Sequence, residues 1–284
     1  QEAPVEPPVD PVKAARAVLA EGKISDDPDS LKQFFKQRTL SEAERKNLAG
    51  LIQKLGSDDF DTRENASQTL SGAGLAALPT LRAAGRDSDV EVNRRIEMCL
   101  KQLNDVNESG RVNAAALMLA HHKVEGTPKI LLDYLPCVPN DESVLEGTRL
   151  ALILYSKNTD RADPLLEQTL AGKDAKLRTL AAQVLGEALP KARGEVRKLM
   201  QDPASEVRYH AGVTLARAGD KSVVPDLLKL ITDGSMDDAN LVEDLMFQLL
   251  GDGKMETTLG QGDAAHRKAS RAAWEKWWKD NEAK

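Results

Sequence analysis

Apolar residues along the chain recur with the period of an α-helix. One run follows the spacing i, i+3, i+4, i+7, i+8 and i+11: Leu177, Leu180, Ala181, Val184, Leu185 and Ala188. Such a stripe covers one face of a helix, and a second apolar helix is predicted from Val223 onward. No stretch alternates apolar and polar residues with β-branched enrichment, so no strands are predicted. The pattern therefore predicts an all-α chain of about a dozen helices in antiparallel pairs.

Residues at the predicted breaks suit helix ends. Gly219 can adopt the left-handed conformation that ends a helix. Asp202 is predicted to cap the next helix, with Pro203 at its first position, where the missing N–H has no cost. Ser41 and Glu44 have the spacing of a capping box at the start of an earlier helix.

A sequence phrase recurs along the chain. It consists of an acidic or Pro-containing turn, an apolar residue beside a polar one, and an Ala-rich helical stripe. Residues 202–208 are its clearest copy, and further copies begin at Asp58, Asp87, Asp141, Lys173 and Ser235. A unit with this phrase cannot bury its apolar face alone, so stacked units are predicted to form a solenoid.

The spacing of the copies supports the repeat. Arg178 and Arg208 are 30 positions apart, as are Arg63 and Asn93, and Glu146 precedes Arg178 by 32. The 53 positions from Asn93 to Glu146 predict an additional helical element. Residues 112–122, which are rich in Ala and Leu, are expected to supply it.

The recurring phrase resembles the repeat of a known protein family. Residues 202–208, followed by Ala211, Leu215 and Ala216, resemble the HEAT repeat, of the type also seen in phycobilisome lyases. Residues 38–60 and 76–81, and the closing residues 272–278, look like parts of HEAT-repeat modules in bacterial, often exported, multidomain proteins. The resemblance spans residues 28–280. It implies a right-handed α-α superhelix that binds proteins, and it brings no catalytic residues. The phrase departs from the family at Lys173 and Ser235, where Asp is usual.

The same patterns divide the chain into five predicted regions. They are a Pro-rich tether (1–11), an N-terminal helical cap (12–40) that includes Phe34 and Phe35, HEAT-like repeats (41–250), a linker (251–263) that contains Gly251-Asp252-Gly253, and a Trp-rich capping helix (264–284). Gln1 and the Pro-rich opening fit a chain whose signal peptide has been removed, and equally a trimmed chain. We expect an extracytoplasmic or periplasmic protein, with the cytoplasm as the alternative.

The balance of charged and apolar residues argues against some classes of partner. The chain has 39 basic and 45 acidic residues and a net charge of −6. It lacks the surplus of Lys and Arg that neutralises phosphates, so no nucleic-acid partner is expected. No apolar run of about 18 residues exists, so no membrane span is expected. Cys99 and Cys137 are predicted to be small buried hydrophobes, with a disulfide between them left open.

No catalytic, metal or cofactor site is predicted. The carboxylate pairs Asp58–Asp59 and Asp237–Asp238 recur at repeat turns, where helix capping explains them better than acid–base chemistry or cation binding. His121 and His122 are adjacent, whereas two metal ligands on one helix need the spacing i, i+4.

Two surfaces are predicted to bind a partner. Lys191, Arg193, Arg197 and Lys198 make one second helix basic, with Glu195 as the only opposing charge, and are expected to receive an acidic segment; an ordinary solvated face is the alternative. Trp274, Trp277 and Trp278 lie on one helix face. They are either an aromatic hot spot or the seal at the end of the solenoid.

These observations predict a non-enzymatic protein–protein interaction scaffold, whose partner is another protein or an adjacent domain. The resemblance leaves a second hypothesis, a HEAT-containing lyase-type enzyme or accessory subunit that acts on a chromophore-bearing protein. A DNA-repair glycosylase of HEAT-like repeats is disfavoured, because the chain is acidic and has few aromatic residues outside its last helix.

Overall fold

The structure of the chain is a computed structural model that describes residues 10–85, 89–103, 107–138, 141–251, 253–255 and 257–281. Within these ranges the regular structure is entirely helical, which confirms the predicted all-α class. Residues 1–9 of the tether, Asp87 of one repeat copy, Asp252 of the linker and residues 282–284 of the last region lie outside the described residues. The chain divides into two compact units, residues 1–158 and residues 159–284.

The first unit is built from nine of the described α-helices. They are α1 (Pro11–Glu21), α2 (Pro28–Lys36), α3 (Glu42–Lys54), α4 (Phe60–Gly72), α5 (Leu78–Ala84), α6 (Val90–Leu103), α7 (Glu108–His121), α8 (Thr127–Tyr134) and α9 (Glu142–Thr159). Short 3₁₀ turns occupy Gly74–Ala77 and Leu135–Cys137. The predicted additional element at 112–122 is thus a complete helix pair, α7 and α8.

The first helix pair packs on a pair that is distant in sequence. Helix α1 lies along α7, and α2 contacts both α7 and α8. The Phe35 ring meets the Tyr134 ring edge-on, with 5.4 Å between the centroids. Arg38 and Glu108 form an ion pair in which both side chains are buried. The predicted cap region therefore covers α7 and α8, although residues 41–107 separate the two in sequence.

The residues between these two pairs form four helices with a hydrophobic core of their own. We call this segment the α3–α6 insert (residues 42–103). Helix α3 packs on α4 and α5, and α6 packs on α4 and α5. Its apolar core includes Leu48, Leu55, Leu70, Leu81 and Ile96. Burial of these side chains against one another gives the insert a hydrophobic core separate from the contacts between α1, α2, α7 and α8.

Local capping explains where several helices begin. The predicted capping box opens α3, where Glu44 N–H donates to Ser41 Oγ (3.3 Å) and Ser41 N–H donates to Glu44 Oε2 (2.7 Å). Asp59 accepts from Thr62 N–H (2.8 Å) at the start of α4. Each bond satisfies an N–H that has no partner within the helix.

The second unit is built from seven described α-helices. They are α10 (Pro164–Thr169), α11 (Ala175–Ala188), α12 (Arg193–Lys198), α13 (Ser205–Arg217), α14 (Val224–Asp233), α15 (Met236–Leu250) and α16 (Ala264–Asn281). Short 3₁₀ turns occupy Pro190–Ala192, Leu199–Gln201 and Lys221–Val223.

Helices of the second unit alternate between two rows. The first helices of successive pairs, α11, α13 and α15, contact one another in turn, and the second helices α14 and α16 contact each other as well. Within a pair the approach is close: a Cβ on Gly212 of α13 would lie 2.5 Å from the Leu227 side chain of α14. This unit is an α-solenoid of stacked helix pairs.

Two predicted helix ends have different outcomes. Gly219 has φ +93°, which confirms its predicted left-handed conformation after α13. The prediction for Asp202 and Pro203 was wrong, because α13 begins at Ser205 and both residues precede it. Asp202 accepts from Ala204 N–H (2.9 Å) and directs its carboxylate to Arg178 instead.

Candidate interaction surfaces

An arginine at the same position of the repeat phrase makes the same contacts in three copies. One guanidinium nitrogen, Nη1, donates to the carbonyls five and six residues earlier. Arg178 reaches Lys173 O and Gly172 O, both at 3.0 Å, and Arg63 and Arg208 repeat the pattern at 2.6–3.1 Å. The repeat register predicted from sequence spacing is therefore also a register of hydrogen bonds.

Successive repeats of the second unit are joined by a buried ion pair. Arg178 donates from Nε and Nη2 to the two oxygens of Asp202, each at 2.8 Å, and both residues are buried. Burial alone would raise the pKa of Asp202, but hydrogen bonds from Arg178 and Ala204 N–H outweigh it, so the pKa is lowered. Because the bidentate geometry fixes direction as well as distance, this pair orients one repeat on the next.

A second link joins the next two repeats. Asp238 forms the capping box of α15 with Ser235 and also accepts from Ser205 Oγ of α13 (2.6 Å). Burial opposes ionisation of Asp238, but the bonds from Ser205 and Ser235 prevail and lower its pKa. The carboxylates at the repeat turns thus serve as helix caps and repeat links.

The predicted basic cluster lies on α12 and the turn before it, where two of its members take part in repeat contacts. Arg193 is half-buried and donates from Nε to Gly186 O (3.1 Å) and from Nη1 to Ala218 O (3.4 Å). Arg197 pairs with Asp220 and donates from Nη2 to Ser222 Oγ (2.7 Å). Both guanidinium groups therefore connect α12 to the neighbouring repeat.

The two lysines of the cluster are exposed. Lys198 pairs with Glu195, one turn earlier in α12, at 2.6 Å, and both side chains are largely in solvent. Exposed pairs of this kind contribute little energy, so a partner's carboxylate can replace Glu195 at low cost. Within the described part of the chain, Lys191 has no ion pair or hydrogen bond.

Two grooves open near the basic cluster. One, of about 590 Å³, lies between α10 and α12 and is lined by Glu167, Leu170 and Lys198 among others. The other, of about 370 Å³, is lined by Asp226 and Lys229 of α14 and by residues near Asp202. Both are shallow and carry charges of both signs, which suits contacts with an extended polypeptide.

The three tryptophans of α16 differ in their surroundings. Trp274 is fully buried and Trp278 is nearly so, whereas Trp277 is partly exposed. Trp274 meets the rings of Phe247 (5.0 Å) and Trp277 (5.8 Å) edge-on. Two of the three rings are thus buried in the second unit, and of the three only Trp277 has aromatic surface that a partner could contact. The role of these three residues in binding stays a prediction.

A buried carboxylate connects the last two helices of the second unit, α15 and α16. Glu243 of α15 accepts from Leu259 N–H (3.0 Å), Ser270 Oγ (2.7 Å) and Trp274 Nε1 (3.3 Å). It therefore ties α15, the predicted linker and α16 together. Glu243 was not predicted from the sequence, although it lies beside Val242 and three residues before Met246, on the apolar face of α15.

The structure also describes the two cysteines and tests the described residues for metal and membrane sites. Cys99 and Cys137 are buried free thiols, which settles the open question of a disulfide. No three or more His, Cys, Asp or Glu side chains come together to hold a metal ion in the described residues. The same residues contain no helix that is long and apolar enough to cross a membrane.

Part of the chain matches a known protein family. Residues 162–243 match the family of HEAT repeats, and this stretch covers α10 to α14 and half of α15. The matched stretch contains the Arg178–Asp202 pair, the Ser205–Asp238 link and the whole basic cluster. A comparison with curated proteins gave no match. Sequence phrase, helix pairing and family match agree that residues 162–243 are HEAT repeats.

Proposed function

We propose that the chain is a non-enzymatic scaffold that binds another protein through the second helices of its HEAT repeats. The observation that carries the proposal is the HEAT-repeat match over residues 162–243, whose second helices border two open grooves. Repeat stacking presents side chains at regular spacing, so an extended segment can be bound by many weak contacts.

The basic cluster supplies the chemistry that we propose for recognition. Lys191 lies in the turn just before α12, and Lys198 is the last residue of α12. Both lysines are exposed. Arg197 keeps 45% of its side-chain surface exposed while it pairs with Asp220. These charges favour an acidic segment of the partner, with steering that weakens as salt increases.

The structural roles of Arg193 and Arg197 determine which residues the test should change. Reversing either arginine would disturb a contact between repeats, and a loss of binding would then have two explanations. The double variant Lys191→Glu/Lys198→Glu changes only exposed side chains. Lys268→Glu/Lys276→Glu on α16 makes the same change in net charge on another exposed surface, and it serves as the matched control.

The test is a quantitative capture of proteins from lysate of the source organism, with wild type and both double variants as bait. We expect at least one acidic protein to be retained by wild type and the control, and to be lost from Lys191→Glu/Lys198→Glu. Equal retention by all three baits would contradict the basic surface as the docking site. Retention of no protein by wild type would contradict the scaffold itself.

Export and membership in a larger bacterial protein stay predictions from the sequence. Fractionation of the source cells, followed by detection of the chain with an antibody, tests the first of them. Recovery from the periplasm or medium is the expected result, and recovery with cytoplasmic markers would contradict it.

A further inference from the structure

The first unit contains a cavity of about 390 Å³ between α5 of the insert and helices α7, α8 and α9. This volume lies in the lower part of the range of roughly 300–1,000 Å³ that is usual for ligand sites. The lining includes three apolar side chains, Val112, Val138 and Val144, together with polar and charged ones. This mixture suits an amphipathic ligand.

Carboxylates dominate the charged part of the lining. Glu108, Asp141 and Glu142 line the cavity, against a single guanidinium, Arg82, among the described lining residues. Two of these carboxylates are held in place by neighbouring side chains. Glu108 is 4% exposed and pairs with Arg38, and Asp141 accepts from Ser109 Oγ (2.6 Å). The wall therefore presents preorganised acceptors that disfavour an anionic ligand.

Tyr134 is an independent indication of a ligand. It lines the cavity, yet it is only 2% exposed, and its ring is fixed edge-on against Phe35. Its hydroxyl makes no hydrogen bond with any residue of the described ranges. The ring is buried, whereas the hydroxyl oxygen is not sealed inside the protein and reaches the cavity, where a ligand can bond to it. Burial and the nearby Glu108 carboxylate raise its pKa, so the hydroxyl stays protonated.

We propose that this cavity binds an alkylammonium group. The ammonium head would be bound by the Tyr134 hydroxyl oxygen and the carboxylates of Glu108, Asp141 and Glu142, and the aliphatic stem would pack on the three valines. A lysine side chain of a polypeptide and a free alkylamine share this chemistry. The site is separate from the surface proposed above for the second unit, and the two proposals can fail independently.

The test is calorimetric titration of the full chain with three probes. N-acetyl-lysine-N-methylamide and hexylamine carry the ammonium and the stem, whereas N-acetyl-norleucine-N-methylamide carries a similar stem alone. We expect both amines to bind and the norleucine amide not to. Tighter binding of the lysine amide would assign a polypeptide source, and tighter binding of hexylamine a free amine. Absence of binding by both amines at up to about 10 mM, or equal binding by all three probes, would overturn the proposal.

Two variants test the named contacts. Tyr134→Phe removes only the hydroxyl and keeps the ring packed on Phe35, and we expect amine affinity to fall about three- to tenfold. Glu142→Gln removes an exposed carboxylate and should weaken binding to a similar extent. Tyr209→Phe, in the second unit, is the matched control and should leave the affinity unchanged. Unchanged affinity in Tyr134→Phe, with a wild-type melting curve, would contradict the site.

Discussion

Replacing Asp202 with alanine tests whether the buried pair with Arg178 joins the HEAT repeats. The substitution removes an acceptor of two hydrogen bonds of 2.8 Å and leaves the guanidinium without them. Arg178 stays anchored to Gly172 O and Lys173 O, which prevents it from turning into water. Loss of one partner of a buried pair costs about 3–5 kcal/mol. We expect a loss of free energy of unfolding in that range.

The measurement is urea unfolding monitored by circular dichroism, accompanied by thermal melts. For chains of ~150–250 residues, 1 kcal/mol shifts the melting temperature by about 2–4 °C, so the expected decrease is about 6–20 °C. The double variant Arg178→Met/Asp202→Ala removes both charges and should lose less than the two single variants together. A loss below about 1 kcal/mol in Asp202→Ala would refute the argument.

The same pair predicts a pH dependence. The folded pKa of Asp202 is lowered, so the unfolded chain binds this proton more readily than the folded chain. The stabilisation is therefore fully present above the unfolded pKa of about 3.9 and is lost as the pH falls through the lower folded value. The difference in stability between wild type and Asp202→Asn should stay constant from about pH 5 to 8 and narrow below about pH 4. A constant difference down to about pH 2 would contradict this assignment.

Two further predictions concern α16 and the first helix pair. Trp274→Ala should lower the free energy of unfolding by about 3–5 kcal/mol, because the Trp274 ring is fully buried. Trp277→Ala should lower it clearly less, because that ring is partly exposed. Equal decreases in melting temperature for the two variants would contradict the described packing. Arg38→Ala should also cost about 3–5 kcal/mol, because it leaves Glu108 buried without its cation, whereas Arg38→Met/Glu108→Leu should recover most of the loss. A double variant as unstable as Arg38→Ala in urea would contradict this reasoning.

The sequence predicted the parts of the fold that depend on neighbouring residues. Helical periodicity, the capping box at Ser41, the left-handed Gly219 and the spacing of Arg178 and Arg208 are all local signals. Each depends on residues a few positions apart or on exact repetition. The repeat register of the second unit follows from them, and the HEAT-repeat match coincides with it.

Features that depend on distant contacts were not predicted. The packing of α2 on α8 is decided by contacts such as Phe35 with Tyr134, about 100 positions apart, for which periodicity contains no signal. The α3–α6 insert was therefore assigned to one continuous row of repeats.

The same limit applies to the candidate surfaces. Arg197 belongs to a basic cluster in the sequence, yet its partners Asp220 and Ser222 come from the following repeat. The cavity of the first unit unites residues from four helices, and no spacing along the chain indicates it. Charge composition identified the cluster, but only the structure separates its exposed lysines from its engaged arginines.

The position of the insert has a consequence for synthesis on the ribosome. Arg38 precedes Glu108 by 70 positions, so the first helix pair emerges long before the pair that covers it. At about 5–20 residues per second, Phe34 and Phe35 wait roughly 4–15 s until synthesis reaches Glu108, the first residue of α7. During that interval the insert can fold on its own core, because its helices pack on one another. The insert can therefore fold before α1 and α2 find their packing partners, and these two helices keep apolar side chains exposed in the meantime.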